Sequence, residues 1–300
     1  MSLSVDSLTL SLDGGLIFER RTKMMGSPIT QTLEPRLRYL YSNADNQNNF
    51  PTFDSADLTF NYNQLYRDTR FSGYDRLDDI HQISLGVTTR FFEEETGEEK
   101  LNASLGQIFY FDDREVRLRP NDGVASEATS PIAAELNWHL EKAWQIRMQM
   151  LYDPSDNEFD SAYTQITYRK DDSAVLSAGY ALRKPSSSRL QQPVAEQANI
   201  SAYIPIDSHW SLFGAIEYSL EGSTPVEDMF GFEYDDCCWR FRALYMRYID
   251  TQLGDIIDFA DPNLDRENAF QIQIELKGMG GLGGRVDRLL EDMIRGFNAY

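Results

Sequence analysis

Apolar and polar positions alternate with period two along much of the chain. In Trp210, Leu212, Gly214, Ile216, Tyr218 and Leu220 one face is apolar, while Ser211, Glu217 and Ser219 take the other. Ile272, Ile274 and Leu276 alternate with Gln271, Gln273 and Glu275, and Ile146, Met148, Met150 and Tyr152 with Gln145, Arg147 and Gln149. Leu33, Pro35, Leu37, Tyr39 and Tyr41 share a face opposite Glu34, Arg36 and Arg38. This is the pattern of strands with one apolar and one polar side. It predicts about thirteen strands, near 8–22, 30–42, 81–92, 101–112, 131–140, 144–152, 159–169, 174–183, 196–206, 209–220, 226–236, 238–248 and 269–277. Their lengths suit the ~9–11 residues of a tilted membrane-crossing strand.

The connections between these runs fall into two alternating sets. One holds 43–80, 113–130, 153–158, 184–195, 221–225 and 249–268, including every long segment. The other holds 23–29, 93–100, 141–143, 170–173, 207–208 and the Asp236-Cys237 turn. Outer-membrane barrels have this asymmetry, with long loops outside and short turns in the periplasm, whereas a soluble sandwich has no reason to sort its loops by end. The fold class expected is all-β, an antiparallel transmembrane β-barrel segment, about half of a larger barrel, with a short C-terminal helix. Residues 1–280 are read as the barrel part and 281–300 as a periplasmic tail with a helical pattern.

Composition fits this reading. A mean hydropathy of -0.48 with 41% apolar residues leaves no run of the ~20 that a spanning helix needs, but a strand with one apolar face does not need one. The net charge of -20 and the lack of a cationic stripe argue against nucleic acid. The first residues offer no positive and then apolar leader, so the chain reads as a fragment whose leader lies upstream. An odd strand count also suggests an incomplete barrel, because single-chain bacterial barrels have even counts.

The only two cysteines, Cys237 and Cys238, are adjacent. Bridged cysteines prefer a longer Cα separation than chain neighbours have, so a bond between these two would close a small strained ring; they otherwise remain free as small apolar groups or pair with thiols outside this sequence. By the loop alternation their turn lies on the periplasmic side, where disulfides persist.

The order of motifs resembles one family, the LPS-assembly protein LptD. The likeness runs through Leu33-Glu34-Pro35-Arg36-Leu37-Arg38-Tyr39-Leu40-Tyr41, Gln64-Leu65-Tyr66-Arg67-Asp68, Arg70-Phe71-Ser72-Gly73-Tyr74-Asp75-Arg76 and Ser104-Leu105-Gly106-Gln107-Ile108-Phe109-Tyr110-Phe111. It continues through Met229-Phe230-Gly231-Phe232-Glu233-Tyr234 into Cys237-Cys238 and ends at Ile274-Glu275-Leu276-Lys277-Gly278. The resemblance implies an integral outer-membrane translocon that moves lipopolysaccharide to the outer leaflet, not an enzyme. It implies the lipoprotein LptE as plug, an N-terminal jellyroll domain of the same protein, and through that domain the bridge protein LptA. Cys237 and Cys238 align with the family's cysteines that bond to others near the mature N-terminus. Ala269, Phe270, Gln271, Ile272, Gln273, Ile274, Glu275, Leu276 and Lys277 match the last strand, one lip of a lateral gate. The loop with Arg67, Arg70, Phe71, Gly73, Asp75 and Arg76 is expected to fold into or over the lumen, against the plug. Arg36, Arg38, Gln145, Arg147, Gln149, Arg240 and Arg242 would line that lumen.

Other signals are weaker. The glycines from Gly278 to Gly283 match GxGxxG, but the chain ends too soon for the acidic residue of a dinucleotide site, so no cofactor is expected. Asp153 to Glu158 lacks EF-hand spacing and reads as a solvated loop, with no metal site. His81, His139 and His209 show no catalytic spacing. Two alternatives remain, a passive porin-type channel and an outer-membrane barrel hydrolase.

Overall fold

The computed structural model describes residues 5–45, 47–48, 50–119, 121–141, 143–170, 174–184, 194–249, 266–277 and 285–297. The described strands are β1 (Ser7–Gly15), β2 (Phe18–Met24), β3 (Ser27–Ala44), β4 (Ile80–Glu93), β5 (Glu99–Tyr110), β6 (Ile132–Leu140), β7 (Trp144–Asp153), β8 (Glu158–Lys170), β9 (Ala174–Arg183), β10 (Ala195–Pro205), β11 (Trp210–Ser219), β12 (Thr224–Asp235), β13 (Trp239–Ile249) and β14 (Arg266–Leu276). One helix follows, α1 (Arg285–Met293). The strands pair in chain order from β3 to β14, β1 and β2 both pair with β3, and the path does not close among the described residues. The fold is thus all-β and antiparallel, without a helix long and apolar enough to cross a membrane. The two classes of connection are preserved: the segments following β3 and β5 are long, while those following β2, β4, β6, β10 and β12 are short. Much of 184–195 and 249–268, and all of Gly278 to Gly283, lie outside the described residues.

The run expected as one strand over 8–22 is two. β1 pairs with Arg36–Ala44 of β3 and β2 with Ser27–Leu33, and the break falls opposite Pro35. In a strand the N–H and C=O of one residue point the same way. The Pro35 carbonyl accepts from Leu16 N at 3.1 Å, so its missing N–H is on that side too. The ladder there loses a donor, and the strand facing it is interrupted.

The chain divides into two compact units: Met1–Trp138 with Met148–Ser161 and Pro185–Leu190, and His139–Arg147 with Ala162–Lys184 and Gln191–Tyr300. Each distributes its side chains in the reverse of a soluble protein. In the first, Leu8, Leu10, Leu12, Leu33, Leu37, Leu85 and Leu105 are exposed, while Thr32, Gln82, Ser84 and Thr88 are buried. In the second, Leu176, Ile200, Leu212, Ile216, Phe230, Ile272 and Ile274 are exposed, while Gln165, Ser177, Ser201, Arg242 and Gln273 are buried. Apolar surface repeated on one face of successive strands is far beyond the single exposed residues a soluble monomer carries, and marks a face made for an apolar medium.

Within the second unit that polar face also carries an apolar core. Val286, Leu290 and Ile294, one turn apart on the helical segment, pack with Val175, Phe213, Met229, Leu244 and Met246. The tail therefore lies on the polar face of these strands. Gly231 makes room beneath it, since a Cβ there would come within 2.6 Å of the Phe213 ring.

Candidate functional site

Two places in the molecule bring the singled-out residues together, one in each unit. The first is the long connection from β3 to β4, which folds back over the polar face. Asn61 starts its single-turn helix, Tyr62–Tyr66, by accepting from the N–H groups of Asn63 (2.9 Å) and Gln64 (3.2 Å). Leu65 on that turn is fully buried. Its seat is a notch made by Gly86 and Gly106, which are cross-strand partners in β4 and β5. A Cβ on Gly106 would lie 2.5 Å from Leu65 Cδ1, and one on Gly86 would collide with the Tyr66 hydroxyl. Beside the notch, Tyr62 and Thr88 hydroxyls lie 3.0 Å apart, and Thr88 and Ser104 hydroxyls 2.9 Å.

Two arginines of β3 hold the turn down. The Arg36 guanidinium stacks 3.9 Å over the Tyr66 ring and also pairs with Asp13, while Arg38 donates to the Tyr66 carbonyl and pairs with Asp68. Arg36 and Arg38 sit opposite Gly86 and Ser84 in the register, so they share the polar face as the alternation predicts. Burial pushes the Tyr66 phenol well above its ordinary pKa, helped by the bond to Tyr62, so it stays a neutral donor.

Further along, the family-motif residues prove to be internal staples. Arg70 binds Asp78 through Nη2 at 2.6 Å and reaches Asp79 at 3.3 Å. Asp79 accepts from the N–H groups of Glu115 and Val116. Burial nevertheless pushes the Asp79 carboxyl up, outweighing those donors and Arg70. Arg76, only 3% exposed, donates to the carbonyls of Phe50 (2.8 Å), Arg117 (3.0 Å) and Leu118 (3.3 Å), and to the Thr52 hydroxyl. It thereby joins the connection before β4 to the one after β5. Phe71 is buried. Gly73 has a φ of +71° and lies where a Cβ would meet Asp54 at 2.6 Å, so both backbone and space require glycine. Asp75 accepts from the N–H groups of Phe53 and Asp54, which hold its carboxyl below the usual range. Arg67, by contrast, is exposed, as are Phe53 and Tyr74 nearby.

This arrangement predicts the effect of trimming the seat. Leu65→Ala removes a fully buried side chain and should cost about 2–5 kcal/mol of loop docking. Limited proteolysis checks it: cleavage within 50–79 should become fast while the strands stay protected.

The second place is the Asp236–Cys238 turn with β14 and α1. Asp236 N donates to Trp239 O at 3.0 Å, and Lys277 N donates to Cys238 O at 2.9 Å, tying the turn to the end of β14. Cys237 and Cys238 are exposed and unbonded. A hydrogen bond between the two thiols and then desolvation raise the Cys237 thiol above its ordinary pKa, so it is protonated at neutral pH. Lys277 pairs with Asp235, and Arg240 spans Asp235 (3.3 Å) and Glu275 (3.4 Å).

β14 pairs with β13 from Trp239↔Leu276 to Ile249↔Arg266. Phe270, Ile272, Ile274 and Leu276 are exposed on one face, and Gln273 is buried on the other. Next to Gln273, Arg242 is 2% exposed and binds Glu233 at 2.5 Å, Gln273 at 3.3 Å and Asp287 of α1. Glu233 also accepts from the Tyr203 hydroxyl at 2.7 Å. Arg240 and Arg242 thus take the polar face, as expected. Sequence reading missed that α1 has its seat there. The signal was available in Phe213, Met229, Leu244 and Met246, apolar residues at positions whose parity should be polar.

Comparison with known proteins bears on these sites. The profile of the family LptD, LPS transport system D, matches residues 3–210. The LPS-assembly protein LptD of Nitrosococcus oceani is 38% identical over 96% of this chain and 36% of its own length. Those of Alcanivorax borkumensis and Hahella chejuensis are 37% and 33% identical over 96% of this chain, and over 36% and 34% of their own lengths. The chain spans about a third of the relatives it matches.

Proposed function

The chain belongs to the LptD family of LPS transport proteins, and from that premise we propose that it is a C-terminal part of an outer-membrane β-barrel that delivers lipopolysaccharide to the outer leaflet. The observation that carries the reading is the inverted sheet, with leucines and isoleucines outward and arginines, glutamines and serines inward. Lipopolysaccharide has an anionic sugar head and many acyl chains. Its head needs a polar path, because moving charge through hydrocarbon costs too much, while its tails need an exit into lipid. The polar face supplies the first. The second is the free edge of β14, residues 269–277, which acts as one lip of a lateral gate.

In this reading residues 1–280 belong to the barrel and 281–300 are a tail on its periplasmic side. Cys237 and Cys238 bond to cysteines near the mature N-terminus and tie the barrel to the jellyroll domain, which receives lipopolysaccharide from LptA. The loop of residues 45–79 caps the polar face, and its exposed Arg67, Phe53 and Tyr74 meet the LptE plug, while Arg70, Phe71, Gly73, Asp75 and Arg76 build the surface that presents them. The role is transport, with no catalytic residue assigned.

Depletion of the full-length parent in its own cells tests this. Newly made lipopolysaccharide should stop reaching the cell surface, and the parent carried on a plasmid should restore it. Normal surface lipopolysaccharide with reduced uptake of small solutes would overturn the reading in favour of a porin.

A further inference from the structure

The contacts of α1 go beyond what a passive tail requires. Its apolar stripe is completely covered, with Leu290 and Ile294 at 0% exposure and Val286 at 3%. Its one acidic residue in the first turn, Asp287, meets the buried Arg242 of β13 and accepts from Gln273 Nε2 of β14 at 3.1 Å. Arg242 in turn reaches Glu233 of β12. One guanidinium therefore links three consecutive strands and the helix. At the far end of the segment, Arg169 of β8 donates to the Gly296 carbonyl, and the Phe297 ring lies 4.8 Å from that of Tyr203 of β10. The helix bridges strands that are far apart in the sheet order.

β14 is a terminal strand of the described path, as β1 is at the other end. Strands inside the path are held by two ladders, but β14 has β13 on one side and no described partner on the other. Its side-chain contacts include Gln273 to Arg242 and Asp287, Glu275 to Arg240, and Lys277 to Asp235 toward the turn end, and Asn268 to Tyr245, Glu267 to Tyr248 and Arg266 to Thr224 at the other end. Two of these partners belong to, or are held by, α1.

We propose that α1 is an intramolecular latch that fixes the terminal strand β14 from the polar face, through the Asp287–Arg242–Gln273 contact. Docked, it restrains β14 and covers Arg242. Undocked, it frees β14 to part from its neighbour and exposes Arg242 and Gln273 as donors for an anionic sugar head group. Helix and strand belong to one chain, so the latch closes again without a second molecule. The gate part of this inference rests on the transport reading above; the restraint on β14 does not.

Amide hydrogen exchange on the full-length parent in lipid nanodiscs tests it with two variants. Asp287→Asn removes only the charge at the latch contact, and Leu290→Glu places a carboxylate in the apolar seat and undocks the helix. Exchange in 269–276 should speed up by at least about tenfold in Leu290→Glu and less in Asp287→Asn, while β4 and β5 stay unchanged, as expected for local opening. Exchange in β14 that is unchanged while α1 itself becomes unprotected overturns the latch. In cells, raised entry of bulky antibiotics with Leu290→Glu supports the gate role, and unaltered entry with a loosened β14 overturns it. Failure of the transport reading would show separately, as normal surface lipopolysaccharide when the wild-type parent is depleted.

Discussion

Under the proposed pairing, changing Cys237 and Cys238 together to serine in the full-length parent should abolish a crosslink from the barrel part to the N-terminal domain and cut surface lipopolysaccharide sharply. Neither cysteine has a partner in this chain, and both are exposed on the turn that Lys277 ties to β14. A bond to each other would close a small strained ring, because bridged cysteines prefer a Cα separation larger than neighbouring residues have. Each single variant keeps one attachment and should retain most transport. Removing a native disulfide costs about 2–5 kcal/mol, and here the loss would fall on domain positioning. Surface lipopolysaccharide assayed beside non-reducing electrophoresis checks both points. Unchanged surface lipopolysaccharide in the double variant would sink the structural role.

The largest stability effect is expected at Arg242. Arg242→Met keeps apolar bulk but leaves Glu233, itself 4% exposed, with the Tyr203 hydroxyl and no close cation except the distant end of Arg240 at 3.9 Å. Breaking a buried pair by removing one partner costs about 3–5 kcal/mol, because the remaining charge is stranded. Asp287 loses its cation and keeps only the Gln273 amide, so α1 should be held less tightly. Removing the stranded charge with a second change, Glu233→Gln, should recover part of the loss. Chemical unfolding of the refolded parent in detergent, followed by the gel shift between folded and unfolded forms, checks this. A loss below about 1 kcal/mol, the range of exposed pairs, would show that water reaches Arg242.

The strands were legible because an apolar face on one side and a polar face on the other impose strict alternation, and each side contributes its own signal. The alternation even placed Arg36, Arg38, Arg240 and Arg242 on the correct face. What escaped it was non-local. Pro35 is visible in the sequence, but that it splits the strand facing it follows only from which neighbour its missing N–H addresses. Nothing in the sequence alone marks Gly86 and Gly106 as a seat for Leu65; their cross-strand pairing does. The sequence reading set Arg70 and Arg76 in a loop over the lumen, as contacts for a plug; burying Arg76 among backbone carbonyls is a tertiary decision. The helix pattern from Val286 to Phe297 was legible, but its seat required reading Phe213, Leu244 and Met246 as exceptions to parity.

The most direct test places a photocrosslinking amino acid at Arg147 and, separately, at its neighbour Ile146, in the full-length parent within growing cells. The two positions lie on opposite faces of β7, close to its short turn. If the polar face lines the path, lipopolysaccharide adducts form at Arg147 and depend on ongoing transport, while Ile146 captures phospholipid. Adducts absent from Arg147, or equal at both positions, would contradict a transport path along this face.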